Sequence, residues 1–165
     1  MIDNKGGDFL GRAKKSIQIK APPEKVWKML ALDRLPEWMN FEIVEYTTEV
    51  SNPKDKYRLG ETALGTPEGG PPNNCHFEIT ESLEHEKFTY RLWEKVGGML
   101  WYRGTLGGLI TYTLEPVKAG TRFTYEVGSE IHWGILGKII QPFSLWYARK
   151  IWQKALEKLK NILEK

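Results

Sequence analysis

The chain has 165 residues, 41% hydrophobic and 27% charged, with a net charge of +3, which suits one globular domain with room for a sizeable core. The charge excess is small and its basic residues are interleaved with acidic ones, which argues against a nucleic-acid partner. Cys75 is the single cysteine, so no internal disulfide can form and a reducing compartment fits.

Residues 1–13 lack the apolar core of a signal peptide, and no apolar run reaches the roughly 18 residues of a membrane span. The expectation is a soluble, cytoplasmic, single-domain protein. Seven Trp, seven Tyr and six Phe point either to a large aromatic core or to an aromatic-lined cavity.

Met1 to Arg12 carries Gly6, Gly7 and Gly11 and reads as part of a loose arm over residues 1–13. Ser16 to Lys20 alternates apolar and polar residues, the pattern of a strand with one buried face. Pro22 and Pro23 stop it. Pro23 and Glu24 suit the first turn of a short helix with Val26, Trp27 and Leu30 on one face. Asp33 is the expected N-cap of a second, carrying Leu35 and Trp38.

From Phe41 to His132 the chain reads as strands and turns. Glu42–Val50 and Tyr57–Leu64 are the first two runs, and Gly65–Pro72 is the plainest loop. Cys75, Phe77 and Ile79 share a face, as do Phe88, Tyr90 and Leu92. Val96–Met99 signals a turn. Leu106, Ile110, Tyr112 and Leu114 share a face, and Gly107-Gly108 between them suggests a bulge. After a turn at Ala119-Gly120, Phe123, Tyr125, Val127 and Ile131 form the last dry face. The pattern describes an antiparallel sheet with one wet side.

Trp133 to Pro142 reads as a glycine-hinged approach to the last element. From Phe143 onward, Tyr147, Ile151, Ala155, Leu159 and Ile162 fall at helical spacing. Ala148, Trp152, Leu156 and Leu163 widen the stripe. This is an amphipathic helix of roughly 20 residues. Such a stripe needs a wide apolar partner, and the dry face of the sheet supplies it. A bent sheet around a helix encloses more volume than the helix fills, so a cavity is expected.

Several stretches together resemble a known superfamily. They are Ile17-Gln-Ile-Lys-Ala-Pro-Pro-Glu-Lys-Val-Trp27, Pro36-Glu-Trp38, Gly104 through Tyr112-Thr-Leu-Glu-Pro116, Gly120-Thr121, and the final helix with Pro142 near its start. The chain is similar to the helix-grip (SRPBCC) proteins: START lipid-transfer domains, polyketide cyclases and dehydrases, birch-pollen-allergen-like proteins and coenzyme-Q-binding proteins. The likeness is closest to the polyketide cyclase/dehydrase branch and covers nearly the whole chain. It implies an α+β fold, a seven-stranded curved antiparallel sheet around a long C-terminal helix, with a hydrophobic pocket between the two.

The candidate ligand-binding residues are Trp38 at the mouth, Phe77, Tyr90, Tyr112 and Tyr125 on the strands, and Phe143 and Tyr147 on the helix. Inward phenols need hydrogen-bond partners, either a ligand or ordered water. Tyr112→Phe is expected to weaken a polar ligand. His76, His85 and His132 have no metal-ligand spacing, so no metal or cofactor is expected. Cys75 reads as a small core residue. Glu78, Glu81, Glu84 and Glu86 surround an exposed hairpin and read as a solvated edge; Glu81 and Ser129 would turn inward only if a bulge shifts the register. Gly134-Ile-Leu-Gly137 matches an RNA-binding GxxG loop in letters but not in context. Lys150, Lys154, Lys158 and Lys160 form a solvated face, with peripheral docking to acidic lipid headgroups the alternative.

The leading functional expectation is binding or transport of a hydrophobic small molecule, such as a lipid, isoprenoid or polyketide. The alternatives are a cyclase or dehydratase using the same cavity, and a co-chaperone-like interaction module with a filled one. Residues 65–72 are either a lid or a surface turn. Ligand identity and oligomeric state are not set by the sequence.

Overall fold

A computed structural model describes residues 11–97, 103–131 and 134–165. Strand β1 spans Gly11–Ile19, helix α1 Pro23–Lys28, and a short 3-10 helix Leu32–Glu37. Strand β2 (Phe41–Tyr46) follows, then a second 3-10 helix, Pro53–Tyr57. Strands β3 (Thr62–Pro67), β4 (Cys75–Leu83), β5 (Lys87–Gly97), β6 (Arg103–Val117) and β7 (Gly120–Ile131) lead to helix α2, Gly134–Leu163. The seven strands form one sheet in the order β1-β7-β6-β5-β4-β3-β2, antiparallel at every junction. Strands β2 to β7 follow each other as a meander. The first strand closes the far edge against the last.

The sheet is curved and α2 lies against it, the helix-grip arrangement. Helix α2 packs on β1 and β7, burying Trp152, Ala155, Leu156 and Leu159. Its C-terminal end is tied to the first strand, where the Lys20 amide donates to Glu164 Oε1 at 2.8 Å. The core is aromatic: Trp38, Phe77, Phe88, Tyr90, Tyr112, Phe123 and Tyr125 are each at most 1% exposed. Gly120 is the glycine that the turn before β7 requires. Its φ is +132°, and a Cβ there would overlap the Ile19 carbonyl oxygen. The Thr121 hydroxyl beside it donates to the Ala21 carbonyl at 2.7 Å.

Several expected boundaries shift. Gly11, Arg12 and Ala13 are not arm but strand, paired with Ser129, Gly128 and Val127. Backbone pairing to β7 holds them without a strong side-chain pattern. Asp33 is not an N-cap: it lies inside the first turn of its 3-10 helix, which no side chain caps, and its carboxylate pairs with Lys56. The run from Glu42 ends at Tyr46. Of the Tyr57–Leu64 run only Thr62–Leu64 is strand; Tyr57 ends a 3-10 helix started by Pro53 and capped by Asn52, whose side chain accepts from the Lys54 amide at 3.0 Å.

Strand β3 takes in Gly65, Thr66 and Pro67, so the loop is shorter than its composition suggests. A Cβ on Gly65 would come 2.7 Å from the Phe77 ring, so this glycine makes room for an aromatic rather than for a turn. Gly107 and Gly108 pair in unbroken register with Trp93 and Leu92 and carry no bulge. Register shifts fall instead at Phe41/Ile43 and Ile79/Glu81.

Helix α2 runs for 30 residues with Pro142 inside it, about 45 Å long. Proline deletes one backbone donor yet holds a φ that a helix accepts, so it does not mark the start. Gly134 and Gly137 are helical and form no loop. Residues 1–10 of the arm, Gly98 and Met99 of the β5 turn signal, His132 and Trp133 lie outside the described residues.

Candidate functional site

Alternation along three central strands builds one wall of a groove. In β5 it brings Leu92 and Glu94 to the same side as Tyr90, and in β7 it brings Val127 and Ser129 to the same side as Tyr125. Leu92, Gly108 and Ser129 pair in one row across β5, β6 and β7. Gly108 therefore leaves a gap in side-chain cover between two neighbours. It cannot be filled cheaply, because a Cβ there would come 2.6 Å from the Gly128 carbonyl oxygen.

Opposite this wall stand Tyr147, Ile151 and Trp152 of α2, and Met39 and Phe41 close one end. The groove has a volume of about 360 Å³, within the range of small-molecule sites. Its lining is mainly apolar, with Asn40, Cys75, Glu94 and Ser129 as polar members; Cys75 and Glu94 are neighbours on β4 and β5, and Ser129 lies apart on β7.

Cys75 sits opposite Glu94 in the β4–β5 register, and its thiol donates to Glu94 Oε2 at 3.7 Å. Asn74 Nδ2 donates to the same oxygen at 3.4 Å. Burial, reinforced by the Glu94 charge, pushes the Cys75 thiol up to about 12. The thiolate is thus suppressed, and Cys75 is a weak donor rather than a nucleophile.

Behind the groove lies a closed aromatic layer. The Tyr90 and Tyr112 hydroxyls are 2.8 Å apart. The Met39 sulfur lies 3.5 Å from the Tyr112 oxygen and 3.9 Å from that of Tyr90. Two phenol protons thus serve one mutual bond and one weak bond to sulfur. Burial holds both phenols well above their ordinary range. Tyr125 stacks on Trp152 with ring centres 4.8 Å apart. Trp38 donates its indole N–H to the Met29 carbonyl at 2.9 Å.

The seven sequence candidates separate accordingly. Tyr147 alone of them lines the groove. Phe77, Tyr90, Tyr112 and Tyr125 are on the inward face, as alternation requires, but lie in the packed layer. Trp38 is not at a mouth; at 1% exposure it is interior wall. Phe143 is not on the inner side of the helix; it is 73% exposed, because the stripe counted from residue 143 mixes two faces of a longer helix. Glu94 was within reach of the sequence, since the alternation that selects Tyr90 and Leu92 selects it two residues later. Ser129 needs no bulge to turn inward, because β7 is regular. Met39, Asn40 and Phe41 follow a 3-10 helix, where no period marks an inward side.

With this geometry in view, the relatives can be placed. A family model described as polyketide cyclase / dehydrase and lipid transport matches residues 11–164. The chain belongs to this family. No curated protein sequence matches it. Among solved structures, a protein of Chromobacterium violaceum is 18% identical, with a TM-score of 0.61, covering 93% of this chain and 97% of that one. A protein of Mesorhizobium loti is 18% identical at a TM-score of 0.59, covering 93% and 96%. The Aha1 dimer of Colwellia psychrerythraea is 18% identical at a TM-score of 0.58, also covering 93% and 96%. At these identities the likeness shows the shared fold. For this family member, the helix–sheet groove lies where the fold leaves space.

A larger hollow of about 530 Å³ lies between α1, the Pro53–Tyr57 helix and the β4–β5 turn. Trp27 and Tyr57 stack in it at 5.0 Å, beside Lys28, Arg34, Lys54 and His85. Its charged rim suits an apolar ligand less well than the groove does. Among the described residues no group of three His, Cys, Asp or Glu side chains could hold a metal, and no helix is long and apolar enough to cross a membrane.

Proposed function

We propose that this protein binds or carries a hydrophobic small molecule in the groove between the sheet and α2. The observation that carries the reading is the groove itself: about 360 Å³ of space with a mainly apolar lining and a few polar groups, Glu94 among them. Apolar burial supplies the affinity, at roughly 25 cal/mol per Å² before the costs of association. Glu94 gives a ligand hydroxyl an acceptor that fixes its orientation. A lipid, isoprenoid or polyketide with a single polar end fits this division.

The test is native mass spectrometry of gently purified protein, together with titration by Nile red as a neutral apolar probe. Val127→Phe adds a ring where the groove is open. It is expected to weaken Nile red binding at least tenfold, while the urea midpoint moves little. Unchanged dye binding in that variant, with no co-purified apolar molecule, would remove the reading.

A second reading is a cyclase or dehydratase. It is favoured by the placement of Glu94 in the apolar groove, where a carboxylate can act as a base on a confined substrate. Glu94→Gln separates the two: a carrier keeps its ligand, while an enzyme loses turnover. The interaction-module reading requires a filled interior, and the open groove counts against it.

A further inference from the structure

The first half of α2 carries an outer face that the core does not use. Ile139, Phe143, Trp146 and Tyr147 are 63%, 73%, 57% and 63% exposed. At about 100° per residue these four fall within an arc of about 100°. The buried Trp152, Ala155, Leu156 and Leu159 centre on the opposite side of the helix. Further along, the outer arc is occupied by Lys150, Gln153, Lys154 and Glu157, an ordinary wet surface. One helix thus changes its outer face from aromatic to basic part-way along.

The charge on this stretch is one-sided. From Gly134 to Leu156 there is no Asp or Glu, while Lys138, Arg149, Lys150 and Lys154 are present. The Lys150 ammonium lies 4.1 Å from the centre of the Trp146 ring. Exposed Trp and Tyr beside cations, without acids, match the headgroup layer of a bilayer. There, rings sit at the acyl boundary and ammonium groups meet lipid phosphate. Because no described helix can span a membrane, contact through this face would be peripheral. Tyr147 belongs both to this face and to the groove lining, so the face adjoins the groove opening.

We infer that the outer face of α2 around Phe143 and Trp146 docks onto the surface of an anionic lipid bilayer, with the groove opening beside the contact. The inference stands on the exposed face and its charge, whatever the groove holds.

Flotation with cargo-free protein tests it, using vesicles of seven parts phosphatidylcholine to three parts phosphatidylserine, and of phosphatidylcholine alone. The expected result is binding to the anionic vesicles at about 0.1 M salt, at least fivefold weaker on neutral ones and weakened by added salt. The double variant Phe143→Ser, Trp146→Ser should lower it at least tenfold with an unchanged circular dichroism spectrum. The double variant Lys150→Glu, Lys154→Glu, which keeps the aromatics, should lower it several-fold. Val127→Phe should leave it intact, which separates this result from the fate of the ligand reading. Absence of vesicle binding, or equal binding by the aromatic double variant, would overturn the inference. So would a concentration-dependent dimer in sedimentation that the same variant abolishes, since the face would then belong to a second copy of the chain.

Discussion

The paired hydroxyls of Tyr90 and Tyr112 show what a buried polar atom requires at the scale of one residue. Each phenol is fully buried and has the other as its near partner at 2.8 Å. Among the described residues, Tyr112→Phe leaves Tyr90 with only the distant Met39 sulfur. It should lower stability by about 1–3 kcal/mol in urea unfolding, with little effect on a ligand in the groove. Glu61 presents the charged case. Its carboxylate accepts from Thr48 and from Arg58, which approaches at 2.6 Å, and its side chain is 2% exposed. The Thr48 hydrogen bond, with help from Arg58, holds its pKa below the ordinary carboxylate value against the opposing effect of burial. The folded pKa is thus below the unfolded one, near 4.3. The stabilisation is complete above that value and lost as pH falls through the folded pKa. The stability of Glu61→Gln, measured by urea unfolding between pH 3 and 6, should therefore vary less with pH than that of the parent chain.

At the scale of elements, α2 is two helices in one. Its second half is held by burial: Leu159 is 0% exposed, so Leu159→Ala should cost about 2–5 kcal/mol. Trp146→Ser in the first half removes a larger side chain from a position that is 57% exposed. It should change stability by no more than about 0.5 kcal/mol. Thermal and urea melts of the two variants give the comparison, and equal losses would mean that the outer face is packed after all. The sheet shows a similar division of labour. Glycines in β3 and β6 are not turns; they clear space for Phe77 and for the groove.

At the scale of the whole molecule, the curved sheet and the helix meet closely along one length and stand apart along another. The Glu68–Asn74 turn reaches this gap through Pro67, which lines the groove. The turn is pinned by the Gly69 amide donating to Glu42 Oε1 at 3.1 Å and the Asn73 amide donating to Thr66 Oγ1 at 3.0 Å. If it acts as a lid, amide exchange at Gly69 and Gly70 should slow when Nile red occupies the groove. Unchanged exchange would leave it a surface turn.

The order of the strands, their faces and the family were legible from the residues alone; the Pro53–Tyr57 3-10 helix was not. Those rest on local periodicity, on prolines and glycines at fixed offsets, and on the need of an amphipathic helix for an apolar sheet. Cys75, Phe77, Tyr90, Tyr112 and Tyr125 all face inward, as alternation predicts. Only the tertiary structure decided which inward residues are filler and which line open space. That depends on the distance between α2 and each strand, and on Gly108 lying between Leu92 and Ser129. Periodicity gives a side chain its direction, but not the depth of material it meets there. For the same reason Phe143 reads as cavity-facing in a helix assumed to start late, and is surface in the helix that forms.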